Sequence, residues 1–163
     1  SKASKKNNGQ YFAMVDDEDY EYLNQWNWQL KKFSSLCYAA RTCRENVPRK
    51  TIQMHRLILH LTDPQKFCDH IDHNGLHNER TNIRFCTATE NSRNCQKHRD
   101  GSSRFKGITR CKKTGKWVVR LWKDGIHYYF GYFVNEEDAA RAYDTAAREH
   151  FGEFALTNFP SQL

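Results

Sequence analysis

With 163 residues, a formal charge of +7, 38% hydrophobic and 13% aromatic content, the chain allows one compact domain or two small ones with modest cores. A mean hydropathy of −0.92 and no apolar run near the ~18 residues of a membrane span argue against a membrane protein, and no secretory signal pattern opens the chain. Charge is concentrated: eleven Lys and Arg from Arg93 to Gly131 stand against Asp100 and Asp124, so that segment is +9 and the remainder −2.

Residues 1–9 are basic, polar and aperiodic, and are expected to be disordered. Tyr11 to Val15 reads as a strand. Asp16, Asp17, Glu18 and Asp19 then load acid onto a helix start continued by Tyr20, Leu23 and Asn24, where it favours the helix dipole. Trp26 to Leu30 alternates like a strand with both tryptophans on one face. Cys37 to Arg41 and Thr51 to Met54 are further strand candidates, joined by a turn at 46–50. His55 to Leu61 reads as a helix ended near Asp63-Pro64, its apolar residues packing behind the segment that begins at Asp69. Met54 and the tryptophans are read as core, His55 and His60 as structural or solvated. The six cysteines form no C-x-x-C pair, which speaks for reduced thiols rather than a zinc site.

The stretch 69–91 organises the chain. Asp69-His70 closes a short apolar run, a polar turn comes next, and Asn82 heads a second run, Ile83 to Thr87. A helix start at Thr89-Glu90-Asn91 completes a strand–loop–strand–helix frame. Such a frame aims one carboxylate, one imidazole and two amides at a common point. A hard divalent cation takes oxygen ligands such as Asp69 and the Asn91 carbonyl. An imidazole with an ordinary pKa near ~6.5 accepts a proton from water at neutral pH.

The spacing, with Asn82 twelve positions after His70 and Asn91 nine after that, resembles the HNH nucleases of the ββα-metal fold, in the variant with asparagine as third signature residue. The resemblance extends to the acidic helix, the tryptophan strand and the His-Arg-Leu helix upstream. It implies His70 as general base and Asp69 and Asn91 as ligands of Mg2+ (or Mn2+). It implies that Asn82 braces the loop holding His70 or touches the scissile phosphate. Asp72, His73 and His77 crowd the same loop where that family usually shows Gly or Asn at 73 and 77; they read as solvated loop residues rather than ligands.

Residues 97–103 contain Gly, Ser and charge and read as a linker. Phe105 to Arg110, Trp117 to Trp122 and Tyr128 to Phe133 are three strand-like runs, the last two joined by an Asp-Gly hairpin signal. Asn135 caps a helix with Glu136, Glu137 and Asp138 in its first turn and a small-residue apolar face, ended by Gly152. Interleaved cations and aromatics here are the footprint of a polyanion binder. FKGI at 105–108, YFGYF at 129–133, EEDAARAYDTAA at 136–147 and LTNFP at 156–160 resemble the APETALA-type domain of plant ethylene-response factors. That resemblance implies a sheet lying in the DNA major groove, with Lys106, Gly107, Arg120, Trp122, His127 and Tyr129 facing DNA, Thr109 and Cys111 on contact positions, and Arg110, Lys112 and Lys113 available to phosphates. Thr109, Cys111 and His127 replace arginines common in the family, so the plant factors' base preference does not carry over.

The expected fold class is therefore α+β: a ββα-metal HNH nuclease domain plus a three-stranded antiparallel sheet with one packed helix. Expected boundaries are a tail at 1–9, a nuclease domain at 10–98, a linker at 99–104 and a DNA-binding domain at 105–163. The expected function is a homing-type or mobile-element DNA endonuclease, monomeric and cytoplasmic, acting on double-stranded DNA. The rivals are a catalytically inactive DNA-binding regulator and an RNA-directed or degradative nuclease.

Overall fold

The protein is a mixed α+β chain whose computed structural model describes residues 11–33, 36–43, 49–95 and 101–159. The expectations for the tail at 1–9, for positions 46–48 of the turn and for positions 97–100 of the linker lie outside those residues. Two compact units divide at Ser1–Ala88 and Thr89–Leu163, upstream of the expected linker.

In the first unit, α1 (Asp17–Asn24) carries Asp17, Glu18 and Asp19 in its first turn. These acids suit the helix dipole, and they also fasten a distant loop. Arg80 donates Nε and Nη2 to Asp19 at 2.8 and 2.7 Å, and its backbone N–H donates to Asp16 at 2.7 Å. The strand expected at Tyr11 to Val15 is a single parallel bridge, Met14 to His77, because this segment pairs with a loop. Met14 N–H donates to the Leu76 carbonyl and Asn78 N–H to the Met14 carbonyl, both at 2.8 Å. Nor do Trp26 and Trp28 belong to a strand. Trp26 N–H and Trp28 Nε1 both donate to the Leu23 carbonyl, closing α1 before the sheet begins.

The sheet is antiparallel in the order β1 (Gln29–Phe33), β2 (Leu36–Cys43), β3 (Lys50–Gln53). α2 (Met54–Ile58) is shorter than the helix expected to Leu61. His60 takes a φ of +51°, and the Arg56 guanidinium donates to the Asp63 and Lys66 carbonyls at 2.6 and 2.8 Å, curling the chain into a turn. β4 (Phe67–His70) and β5 (Ile83–Cys86) then pair antiparallel, with Asp69 opposite Arg84 and His70 opposite Ile83. Val15, Leu23, Trp28, Ala39, Met54, Ile58 and Ile83 form one core, so α2 and β5 share a buried seam. After Thr87 comes α3 (Ala88–Arg93), whose residues from Thr89 belong to the second unit.

The second unit is a three-stranded antiparallel sheet, β6 (Ile108–Arg110), β7 (Trp117–Lys123) and β8 (Ile126–Phe133), with α4 (Glu136–Phe151) packed on one face. Ala139, Ala140, Ala146 and Ala147 are buried, which lets the helix approach Ile108, Val119 and Leu121 closely. β6 starts later than Phe105 because Gly107 sits at φ +75°, and a Cβ there would lie 2.0 Å from the Tyr143 ring. Asp124 and Gly125 both have positive φ (52° and 83°), as a two-residue primed hairpin requires. Strict alternation fails in β7: the register shifts between Val118 and Arg120, so Val118 and Val119 are both buried. Asn135 Oδ1 accepts the Glu137 N–H at 2.9 Å and caps α4. The closing segment is held by buried Asp144, which accepts the backbone N–H of Asn158 and Phe159 at 2.7 and 2.9 Å. Asn158 in turn clasps the backbone N–H and carbonyl of Lys106.

Candidate active site and nucleic-acid interface

Pairing of β4 with β5 decides the surroundings of the Asp69-His70 dipeptide. Both residues are buried although both are polar. Asp69 Oδ2 accepts from Arg84 Nε and Nη2 at 3.0 and 2.8 Å, the cross-strand partner supplying the countercharge a buried carboxylate needs. His70 points its Nε2 at Asn78 Oδ1, 3.2 Å away. With Asn78 oriented so that its oxygen faces the ring, Nε2 carries the proton and Nδ1 the lone pair. Burial holds the His70 pKa below its ordinary value, against the raising influence of the Asn78 bond, so the imidazole is neutral at neutral pH. That is the protonation state a general base requires.

A second imidazole stands against the first. His55, from α2, is buried with its ring perpendicular to His70 and the centroids 5.0 Å apart. Tyr38 from β2 packs 5.6 Å from His55 and 5.8 Å from His70. Burial first, and the neighbouring His70 second, push the His55 pKa down to about 3. Its Nδ1 has no hydrogen-bond partner among the described residues.

The loop between β4 and β5 is held from Asn82. Asn82 Nδ2 donates to Asp72 Oδ1 at 2.9 Å and to the His77 carbonyl at 2.8 Å, while its Oδ1 accepts the Asp72 N–H at 3.1 Å. These bonds tie Asn82 to the loop that carries Asp72 and His77. His77 bridges Asp72 at 2.6 Å and Glu79 at 3.0 Å, and these two bonds raise its pKa. Asp72 and His77 are thus partners within the loop, and His73 takes φ +62°, a conformation at home in Gly or Asn. Asn91 sits half-buried on α3. Among the described residues no three His, Cys, Asp or Glu side chains cluster as a metal site. A carboxylate and an amide oxygen nevertheless suit a hard cation that keeps several waters, and the donor set contains no soft ligand. Asp69 already bears a guanidinium, so a cation there would share its carboxylate with Arg84.

Spacing alone does not single out three of these residues. Arg84 is found only once the strand register is known, Asn78 only once the loop is closed by Met14, and His55 only once α2 is packed on the site. The Asn at 78 inside an Asn-rich loop is the one available signal.

On the second unit, Arg120 lies opposite Tyr129 and Trp122 opposite His127, on the sheet face away from α4. Arg120 Cζ is 5.4 Å from the Tyr129 ring, and the Trp122 and His127 rings are 4.4 Å apart. Trp122 and Tyr129 are 57% and 63% exposed, large aromatics on an open face. Thr109 is exposed too, as are Lys112, Lys113 and Lys116 on the β6–β7 loop. Lys106, expected on this face, and Arg110, expected at phosphates, both make contacts within the chain. Lys106 Nζ donates to the carbonyls of Arg93 and Cys95 at the end of α3, and burial pushes its pKa down to about 8. Arg110 lies over the Trp117 ring at 5.7 Å with Nε on the Gly115 carbonyl at 3.3 Å, because its cross-strand partner is Trp117 on the core side.

No protein-family profile matches the chain. An uncharacterized HNH endonuclease of Acanthamoeba polyphaga mimivirus is 31% identical over 152 residues, covering 90% of this chain and 74% of that protein. This chain belongs to the HNH endonuclease family. Its C-terminal third is in addition homologous to the AP2/ERF DNA-binding domain. An AP2-like ethylene-responsive transcription factor of Arabidopsis thaliana is 41% identical over 69 residues, and an AP2/ERF and B3 domain-containing protein of rice (Oryza sativa subsp. japonica) 42% over 59. Both matches cover 36% of this chain, which spans only 23% and 16% of those plant proteins.

Proposed function

We propose that the protein is a metal-dependent DNA endonuclease of the homing or mobile-element type, hydrolysing phosphodiester bonds in duplex DNA that its C-terminal sheet holds. The observation that carries this reading is the buried His70, neutral and hydrogen-bonded through Nε2, beside a buried carboxylate on the same strand. His70 would take a proton from the water that attacks phosphorus. Asn78 fixes the tautomer that makes this possible, and Asn82 stiffens the loop from which Asn78 projects. Asp69 and Asn91 would hold Mg2+ or Mn2+, which when bound would neutralise charge on the phosphate and stabilise the leaving 3′ oxygen. Arg120, Trp122, His127, Tyr129 and Thr109 would meet the groove, with Lys112 and Lys113 on phosphates. One such site per chain suits a monomer that nicks one strand.

The Arg84 guanidinium on Asp69 is the observation that favours the rival, a DNA-binding regulator that no longer cuts. Plasmid nicking with and without Mg2+ separates them. His70→Ala should lose roughly 10²–10⁴-fold in rate with duplex affinity unchanged. Nicking at the wild-type rate in that variant would remove His70 from the chemistry, and no metal-dependent nicking by the wild type would leave the regulator.

A further inference from the structure

Away from His70, the first unit carries an open cleft of about 430 Å³ lined by Trp26, Asn27, Gln29, Arg41, Thr42 and Arg49. Among the described residues its lining holds two guanidinium groups, two amides and a hydroxyl, and no carboxylate. Arg41, on β2, lies with Cζ 4.4 Å over the Trp26 ring. That ring is itself fixed: Tyr22 meets it edge-on at 4.9 Å, Trp28 at 6.3 Å, and its backbone N–H is tied to Leu23. Stacking on an immobile indole sets the plane of the Arg41 fork in advance. Yet Arg41 Nε is buried with no hydrogen-bond partner among the described residues. A buried guanidinium N–H that meets no acceptor among the described residues is costly, and a bound anion would supply one. The matching ligand is an anion with several acceptor oxygens, small enough for the cleft and open to a second cation from Arg49.

We propose that this cleft seats a backbone phosphate of duplex DNA, giving the first unit its own anchor besides the C-terminal sheet. The inference rests on the nuclease reading, since it presumes that duplex DNA is the ligand. A phosphodiester offers the oxygens that a planar, pre-set fork and the Thr42, Asn27 and Gln29 donors can satisfy together. It carries no base information, so the contact adds affinity without choosing a sequence.

The test uses the full chain, with duplex binding followed by fluorescence anisotropy in EDTA so that cutting plays no part. Each phosphate contact contributes about 0.9 to the slope of log K against log salt. Arg49→Ala and Arg41→Gln should each lower that slope by about that amount, equally on unrelated duplexes. The exposed Lys66→Ala, outside the cleft, should leave it alone. Because Arg41 packs on Trp26, thermal unfolding of its variant is read alongside, and exposed Arg49 tests the cleft without disturbing that stack. An unchanged slope in a folded Arg49 variant overturns the anchor, as does an equal fall in Lys66→Ala, which would mean a diffuse field. A fall that depends on duplex sequence overturns a phosphate contact in favour of base reading. Quenching of tryptophan fluorescence by inorganic phosphate, with duplex slopes unchanged in the variants, assigns the cleft to a free anion and overturns the DNA source. If the wild type binds no duplex, the nuclease reading and the anchor fall together.

Discussion

His55 and Asn78 surround His70 from two directions, and each makes a separate measurable difference. The folded pKa of His55, about 3, lies below its ordinary 6.5. Above pH ~6.5 both folded and unfolded chains are neutral there, and the stabilisation is intact. As pH falls from 6.5 toward 3 the unfolded chain takes a proton that the folded one refuses. Stability then falls by up to ~1.4 kcal/mol per pH unit from this group alone. Urea unfolding at stepped pH should show that slope, and His55→Phe, which keeps the ring volume but cannot titrate, should flatten it. An identical slope in His55→Phe would place the acid sensitivity elsewhere. Asn78→Ala should lower the nicking rate by no more than the ~10²–10⁴-fold the base itself contributes. Asn78→Asp keeps the acceptor and should retain the rate while moving the acidic limb of the pH–rate profile upward, because a carboxylate favours the imidazolium. A profile that stays put in Asn78→Asp would mean the 3.2 Å contact does not govern His70.

At the level of elements, the β4–β5 register places Arg84 on Asp69, and the pair is buried. Arg84→Met leaves a buried carboxylate uncompensated and should cost the first unit roughly 3–5 kcal/mol. Mg2+ should recover part of that loss by binding the vacated carboxylate, raising Tm more in the variant than in the wild type. A variant whose Tm ignores Mg2+ would argue that Asp69 is no metal ligand. In the second unit, Asp144→Ala strips the acceptor from three N–H groups at Asn158 and Phe159 and should cost at least the ~1–3 kcal/mol of an unmet buried donor. Much of this organisation could be read from residue order. The Asp-Gly turn, the Asn135 cap, the alanine face of α4 and the signature spacing of Asp69, His70, Asn82 and Asn91 are local patterns with local causes. Arg84, Asn78 and His55 come into play through pairings that no spacing encodes. Lys106 shows the opposite difficulty: its position suggests a groove contact, but two helix-end carbonyls draw its ammonium inward.

For the molecule as a whole, the division at Ala88/Thr89 changes what a truncation at residue 104 would mean. Removing 104–163 takes away most of the phosphate-neutralising cations and should flatten the salt dependence of duplex binding. It also removes three contacts on the end of α3: Lys106 on the Arg93 and Cys95 carbonyls, Asp124 on Arg93 at 3.2 Å, and Phe151 beneath the Arg93 guanidinium. The fragment should therefore cut poorly even at saturating DNA, a deficit in rate and not only in affinity. Nicking by the fragment at the full-length rate, once DNA is saturating, would show that α3 holds its place unaided.

The support of α3 by Lys106, Asp124 and Phe151 also has a consequence in time. A ribosome delivers Met14 and the 71–78 loop early, and the contacts that close that loop lie wholly within the first unit. His70 and the asparagines that contact it and its loop can thus assemble on a nascent chain. The helix bearing Asn91 must wait, because Phe151, the most distant of its supports, leaves the exit tunnel some sixty residues later. Messages cut short between those points would yield polypeptides with His70 in place and Asn91 unsupported. On the proposed function, translation order would thus delay scission until the C-terminal sheet domain has been made.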